Sequence, residues 1–351
     1  MRGVNGRAVS LIALFLAGTA LRPQLVGIAP LLPDIERSLR LSHAATGALT
    51  ALPLVCMGAF AFIGVPLTRV TGSRAAVILA LGLVCVGGIL RGFAGNALPL
   101  FVATVGIGIG IAIAGTVLPI VVKETFAEHP VMATGTYAAG IQVGATLSAA
   151  TAVPIALVLG GWHAALLVFA AFTVVVLGSW LRLAPSAVRP AAAAGGQGRY
   201  SLTTVLLALT FAFFAAAYYG LITWLPEIYL RRGLNAAASG GLIASLNASA
   251  MVGGFGVALL AGRRRASYRV VFLLSAGFAA AITGFVVGPG LAVVWAVAAG
   301  ATNGALLPLV LALPFDFNPD ALGVARATAA MQGAGYALAA VTPIAMGGVR
   351  D

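Results

Sequence analysis

Apolar residues fill the chain in runs of twenty or more, broken by short polar connections that hold most of the charge and many of the Gly and Pro residues. A run of about 20 apolar residues rises 1.5 Å per residue and so crosses a hydrocarbon core of about 30 Å. In lipid each backbone N–H and C=O must be paired within its own segment, which makes such runs helices. The pattern predicts spans near 9–31, 46–67, 75–93, 98–122, 133–157, 163–182, 202–225, 238–261, 269–288, 290–313 and 324–346. Between the sixth and seventh lies the one long connection, Ala184 to Tyr200, rich in Ala, Gly and Pro. It divides the chain into a first half over 1–183, a linker over 184–201 and a second half over 202–351.

Composition excludes a soluble globule: 61% of the 351 residues are hydrophobic and 8% charged, too few polar groups to face water. The apolar run from Val9 continues to Pro33, too long for the apolar core of a signal peptide, so it is the first span. The net charge of +12 would point to nucleic acid in a soluble protein, but here the basic residues sit between spans and read as topology signals. With the N-terminus in the cytoplasm, thirteen of the twenty basic residues fall inside, among them the run Arg263-Arg264-Arg265. Arg37, Arg40, Arg91, Arg231, Arg232 and Arg350 fall outside, and Arg22 within the membrane. The expectation is a multi-pass protein of the cytoplasmic membrane. Cys56 and Cys85 lie in apolar surroundings and read as small buried residues; no metal-ligand spacing and no cofactor motif accompanies them.

The chain resembles itself. Leu32-Pro33-Asp34-Ile35 returns 193 residues on as Leu225-Pro226-Glu227-Ile228, and Gly115-x-x-Leu118-Pro119 returns 189 residues on as Gly304-x-x-Leu307-Pro308. Gly144 and Pro154-Ile155-Ala156 recur as Gly333 and Pro343-Ile344-Ala345. Spans 1, 2, 4 and 5 thus correspond in order to spans 7, 8, 10 and 11. Six spans per copy is an even number, so both copies enter the membrane in the same direction. That is the parallel repeat of the major facilitator fold, in which solute sits between two rocking halves. The partner of span 6 would begin near residue 352, beyond Asp351; eleven spans are expected here, with the twelfth missing either through truncation, the favoured reading, or because this is a true eleven-span variant.

The run Leu21-Arg22-Pro23-Gln24, followed by Gly27, Pro30, Leu31, Leu32 and Pro33, resembles the cyanate and nitroimidazole transporter family of the major facilitators. Leu52-Pro53-Leu54-Val55-Cys56, Leu90-Arg91-Gly92, Leu118-Pro119-x-x-Val122-Lys123, Gly161-Trp162, Trp224-Leu225-Pro226 and Gln332-x-x-Gly335-Tyr336 extend the likeness over almost the whole chain. The loop Thr68 to Arg74 departs from the common facilitator pattern in lacking an acidic residue. The resemblance implies a carrier of a small polar or anionic solute, with spans 1, 4, 5, 7, 10 and 11 lining its cavity; a monomer is expected.

Arg22 stands roughly 18 Å from the far end of its span by helix rise, too deep to snorkel. A cation there costs a few kcal/mol on the mildest scale, so it is a functional candidate by default, and its planar guanidinium suits a small anion. Pro23 beside it should interrupt backbone pairing. Gln24, Gln142, Asn303 and Gln332 are the polar amides near mid-span, and Tyr137, Tyr218 and Tyr336 add hydroxyls; each amide has interhelical bonding as its plain alternative. Trp224 reads either as a cavity wall or as an interfacial anchor. Lys123 reads as a snorkelling residue and, by resemblance, a gate; Pro119 and Pro308 are candidates for gating or helix breaks. All eight acidic residues fall at span ends or in loops, leaving no carboxylate at mid-membrane to carry a proton. The solute itself would then supply the countercharge to Arg22, with a proton or counter-anion as the possible co-traveller. A membrane-embedded enzyme lacks its nucleophile or metal cluster, whereas an exporter of small amphiphiles or a non-transporting sensor remain alternatives.

Overall fold

A computed structural model describes residues 2–184, 201–260 and 268–348 of the chain. The first span is a helix in pieces: α1 (Arg2–Ala20), α2 (Pro23–Val26), a 3₁₀ turn (Ala29–Leu31) and α3 (Leu32–Leu39). The second is α4 (His43–Phe60), a 3₁₀ turn (Ala61–Ile63) and α5 (Gly64–Thr71). There follow α6 (Ser73–Gly92), α7 (Ala97–Thr125), α8 (Pro130–Leu159), α9 (Trp162–Leu183), α10 (Leu202–Arg231), α11 (Ala236–Leu260), α12 (Tyr268–Val287), α13 (Ala292–Phe317) and α14 (Ala321–Gly348). Helix starts carry the side chains that accept orphan N–H groups: Ser42 accepts from Ala45, Asn96 from Leu98, Ser201 from Thr204 and Asp320 from Gly323.

Ten segments among the described residues are long and apolar enough to cross a membrane. The eleventh expected span is helical as α14 but is not one of these ten. Its small residues are mostly Ala and Gly, and Arg326, Gln332 and Tyr336 dilute its hydropathy. Most of the expected linker, and Arg263 to Arg265 with it, lie outside the described residues.

Helix pairing follows the sequence repeat. α1 packs on α8 as α10 packs on α14, and α4 on α7 as α11 on α13. Small residues make the tightest crossings. A Cβ on Gly140 or Gly144 of α8 would lie 2.2 Å from the carbonyl oxygen of Phe15 or Thr19 on α1. On Gly300 or Gly304 of α13 it would lie 2.0 or 1.9 Å from that of Leu246 or Ala250 on α11. Both pairs have the spacing that lets transmembrane backbones touch, where packing rather than water drives association.

The two sets of spans meet toward the end of the bundle where α1 begins. There Val65 and Ile120 cluster with Leu322 and Ala325, and Lys123 Nζ donates to the Asn318 carbonyl at 3.3 Å. Phe15 faces Phe255 with ring centroids 6.4 Å apart. Deeper in, the Phe62 ring lies 3.2 Å from where a Cβ on Gly333 would stand. These contacts seal one set of spans to the other on the N-terminal side.

Candidate functional site

Above the seal the first span breaks. Pro23 has no N–H to offer Thr19, and α1 stops at Ala20; Arg22 sits at the break with φ −105° and ψ −32°, its carbonyl accepting from Leu25 and Val26. The side chain is half-buried rather than sealed. It faces three tyrosines of the other set of spans, Tyr218 and Tyr219 on α10 and Tyr336 on α14, and makes polar contact with Tyr219 and Tyr336. No acidic side chain pairs with it among the described residues.

The tyrosines hold one another in place. Tyr218 and Tyr219 lie edge to face with centroids 5.3 Å apart, and Tyr336 stands edge-on to Phe211 at 5.5 Å. The Tyr218 hydroxyl donates to Asn247 Oδ1 at 3.2 Å, which ties α10 to α11. Tyr137 of α8 adjoins Tyr336, is 2% exposed, and its hydroxyl has no hydrogen-bond partner among the described residues. A buried hydroxyl without a partner costs about 1–3 kcal/mol.

The expected site residues do not all gather here. Arg22, Tyr137 and Tyr336 come together. Gln24 does not: two residues along a helix is 200° around it, so its amide points away from Arg22, buried against Gly88, with Nε2 donating to the Leu166 carbonyl at 3.1 Å. Gln332 bridges the two sets of spans, its Nε2 donating to the Gly115 carbonyl at 3.1 Å. That carbonyl is free because Pro119, four residues on, has no N–H to return to it. α7 and α13 otherwise run through Pro119 and Pro308 unbroken, so of the three prolines only Pro23 marks a break. Asn303 is buried on α13 with Nδ2 unpartnered among the described residues, and Gln142 is half-buried on α8. Trp224 is half-buried toward the far end of α10, and Lys123 lies in the seal.

Sequence reasoning passed over Tyr219, although its pairing with Tyr218 in mid-span was the available signal. It also misplaced Arg91. Counted there as an outer-loop charge, Arg91 is wholly buried in the last turn of α6, bonded to Thr104 and to the Gln24 carbonyl. The four-residue connection to α7 was the hint: so short a loop keeps the end of α6 against its neighbour.

The profile of the Major Facilitator Superfamily matches residues 10–343. The chain belongs to that superfamily. It is 30% identical over 355 residues to the cyanate transport protein of Escherichia coli (strain K12), covering 97% of this chain and 90% of that one. It is 29% identical over 356 residues to the 2-nitroimidazole transporter of the same organism, covering 99% and 89%. The fold is that of the human organic anion transporter (TM-score 0.79, 13% identity, 98% and 93% covered) and of the E. coli fucose:proton symporter (TM-score 0.80, 13% identity, 100% and 93% covered). These major facilitator relatives are transporters, not enzymes.

Proposed function

We propose that this protein carries a small polar or anionic solute, of the class of cyanate, a small carboxylate or a nitroimidazole, by alternating access between halves at 1–183 and 202–351. One observation carries the reading: Arg22 is partly exposed at a helix break, faces tyrosine hydroxyls of the other half, and pairs with no carboxylate among the described residues. A guanidinium so placed is satisfied by an anionic or strongly polar guest, whose arrival between the halves also changes how they meet. The names of the cyanate and 2-nitroimidazole relatives support this solute class. With the N-terminus in the cytoplasm the seal is cytoplasmic, and solute reaches Arg22 from outside. Transport runs by exchange, by facilitated movement or with a proton riding on the solute.

The test is thermal stability of the purified protein against cyanate, nitrate, acetate and 2-nitroimidazole. At least one raises the melting temperature of the wild type, since a ligand that binds only the folded state stabilises it by mass action. Tyr137→Phe melts no lower than wild type when unliganded, because it removes a buried orphan hydroxyl, yet shows a smaller ligand-induced rise. A panel without any shift contradicts the solute class.

A further inference from the structure

The second arginine buried in the first six spans has no part in the solute site described above. Arg91 is 0% exposed, and its partners are neutral: Nε and Nη2 donate to Thr104 Oγ1 at 3.0 and 2.7 Å, and Nη1 donates to the Gln24 backbone oxygen at 2.5 Å. The Thr104 hydroxyl donates to the Leu100 carbonyl at 2.6 Å, so its oxygen is oriented to accept from the guanidinium. A methionine of similar length would fill this space without the cost of desolvating a cation. What only a donor supplies is an N–H for a carbonyl that has lost its own.

That carbonyl belongs to the turn after the break. α2 is a single turn, closed by Gly27 N on Pro23 O, and the next backbone bond is already that of the following 3₁₀ turn, Leu31 N to Ile28 O. The Gln24 oxygen is left at the open end, as helix-terminal carbonyls are. Arg91 of α6 takes it, while the Gln24 side chain is held on α9 through Leu166. Residue 24 is thus fixed on two helices, two positions beyond Arg22 and within the same turn whose first acceptor is the Arg22 carbonyl.

We propose that Arg91 is a positioning residue for solute binding: it fixes the one-turn helix after Pro23 and through it aims Arg22 at Tyr219 and Tyr336. The inference rests on the reading of Arg22 as the solute's contact. Its test is a double-mutant cycle on the full-length protein, with equilibrium binding of cyanate and of 2-nitroimidazole as the two probes. Arg22→Gln and Arg91→Met each weaken binding, the latter by roughly 10-fold, while in the Arg22→Gln background Arg91→Met adds little. Arg91→Lys, which keeps a donor for the Gln24 oxygen, recovers part of the loss. Thr104→Val provides the check if Arg91→Met fails to fold: it leaves the guanidinium on Gln24 but frees Nε and Nη2, and gives a smaller shift in the same direction, again absent without Arg22.

Full additivity of the Arg91 and Arg22 effects, or a lowered melting temperature with wild-type affinity in the folded fraction, overturns the positioning role and leaves the reading of Arg22 standing. Wild-type affinity in Arg22→Gln alone, or no binding of these probes, of nitrate or of acetate by the wild type, overturns that reading and this inference with it.

Discussion

Replacing Arg22 by glutamine is expected to weaken binding of a small anion by roughly 10- to 100-fold, the loss of a charge-assisted hydrogen bond worth about 1.5–3 kcal/mol. Glutamine keeps a donor but removes the charge and the planar fork, so an uncharged polar solute should lose less than an anion does. The unliganded protein should at the same time become more stable, because a cation whose polar neighbours among the described residues are phenols no longer has to be held in the membrane. Opposite signs for stability and affinity separate a binding residue from a packing residue. Equilibrium binding and melting temperature measured on the same preparation check both. A variant that loses stability and keeps its affinity would mean that Arg22 holds the helix break together and nothing more.

The second large effect concerns the seal. Val65 and Ile120 meet Leu322 and Ala325 across the two sets of spans, below the level of Arg22. In a background with Cys56 and Cys85 replaced by alanine, a cysteine pair at 120 and 322 joined by a short bifunctional thiol reagent should fix that contact. Transport then falls to the level of empty liposomes, since rocking needs this side to part, whereas solute binding persists because the site lies on the other side of the seal. A cleavable reagent should return transport when it is cut. Transport that survives complete cross-linking would contradict the rocking of one half against the other.

Much of this architecture was legible in the residues. Runs of twenty apolar positions leave the backbone no choice but helix in lipid, and Pro119 and Pro308 kept at one spacing exposed the repeat that the pairs α1/α8 and α10/α14 follow. The break at Arg22-Pro23 was legible for the same reason: proline's missing N–H is a local fact. Direction was not. Gln24 shares a motif with Arg22 yet points to α9, because a motif records proximity along the chain while the helix turns 100° per residue. Arg91 was lost because an arginine near a span end reads as topology, and only the packing of α6 on α7 shows that it turns inward to Thr104. Tyr219 comes within reach of Arg22 through the meeting of two distant spans, which no local pattern encodes. α14 shows the converse: helical and packed on α10, it holds its place through small residues and cross-bundle bonds such as Gln332 to Gly115 rather than through hydropathy.

The most direct measurement of the central claim is counterflow. Proteoliposomes loaded with unlabelled cyanate, diluted into a trace of labelled cyanate, should show a transient accumulation of label above equilibrium. Arg22→Gln should abolish the overshoot, and the cross-link at 120 and 322 should suppress it reversibly. Binding of cyanate to the wild type without any overshoot would contradict a carrier and leave a receptor built on the same fold.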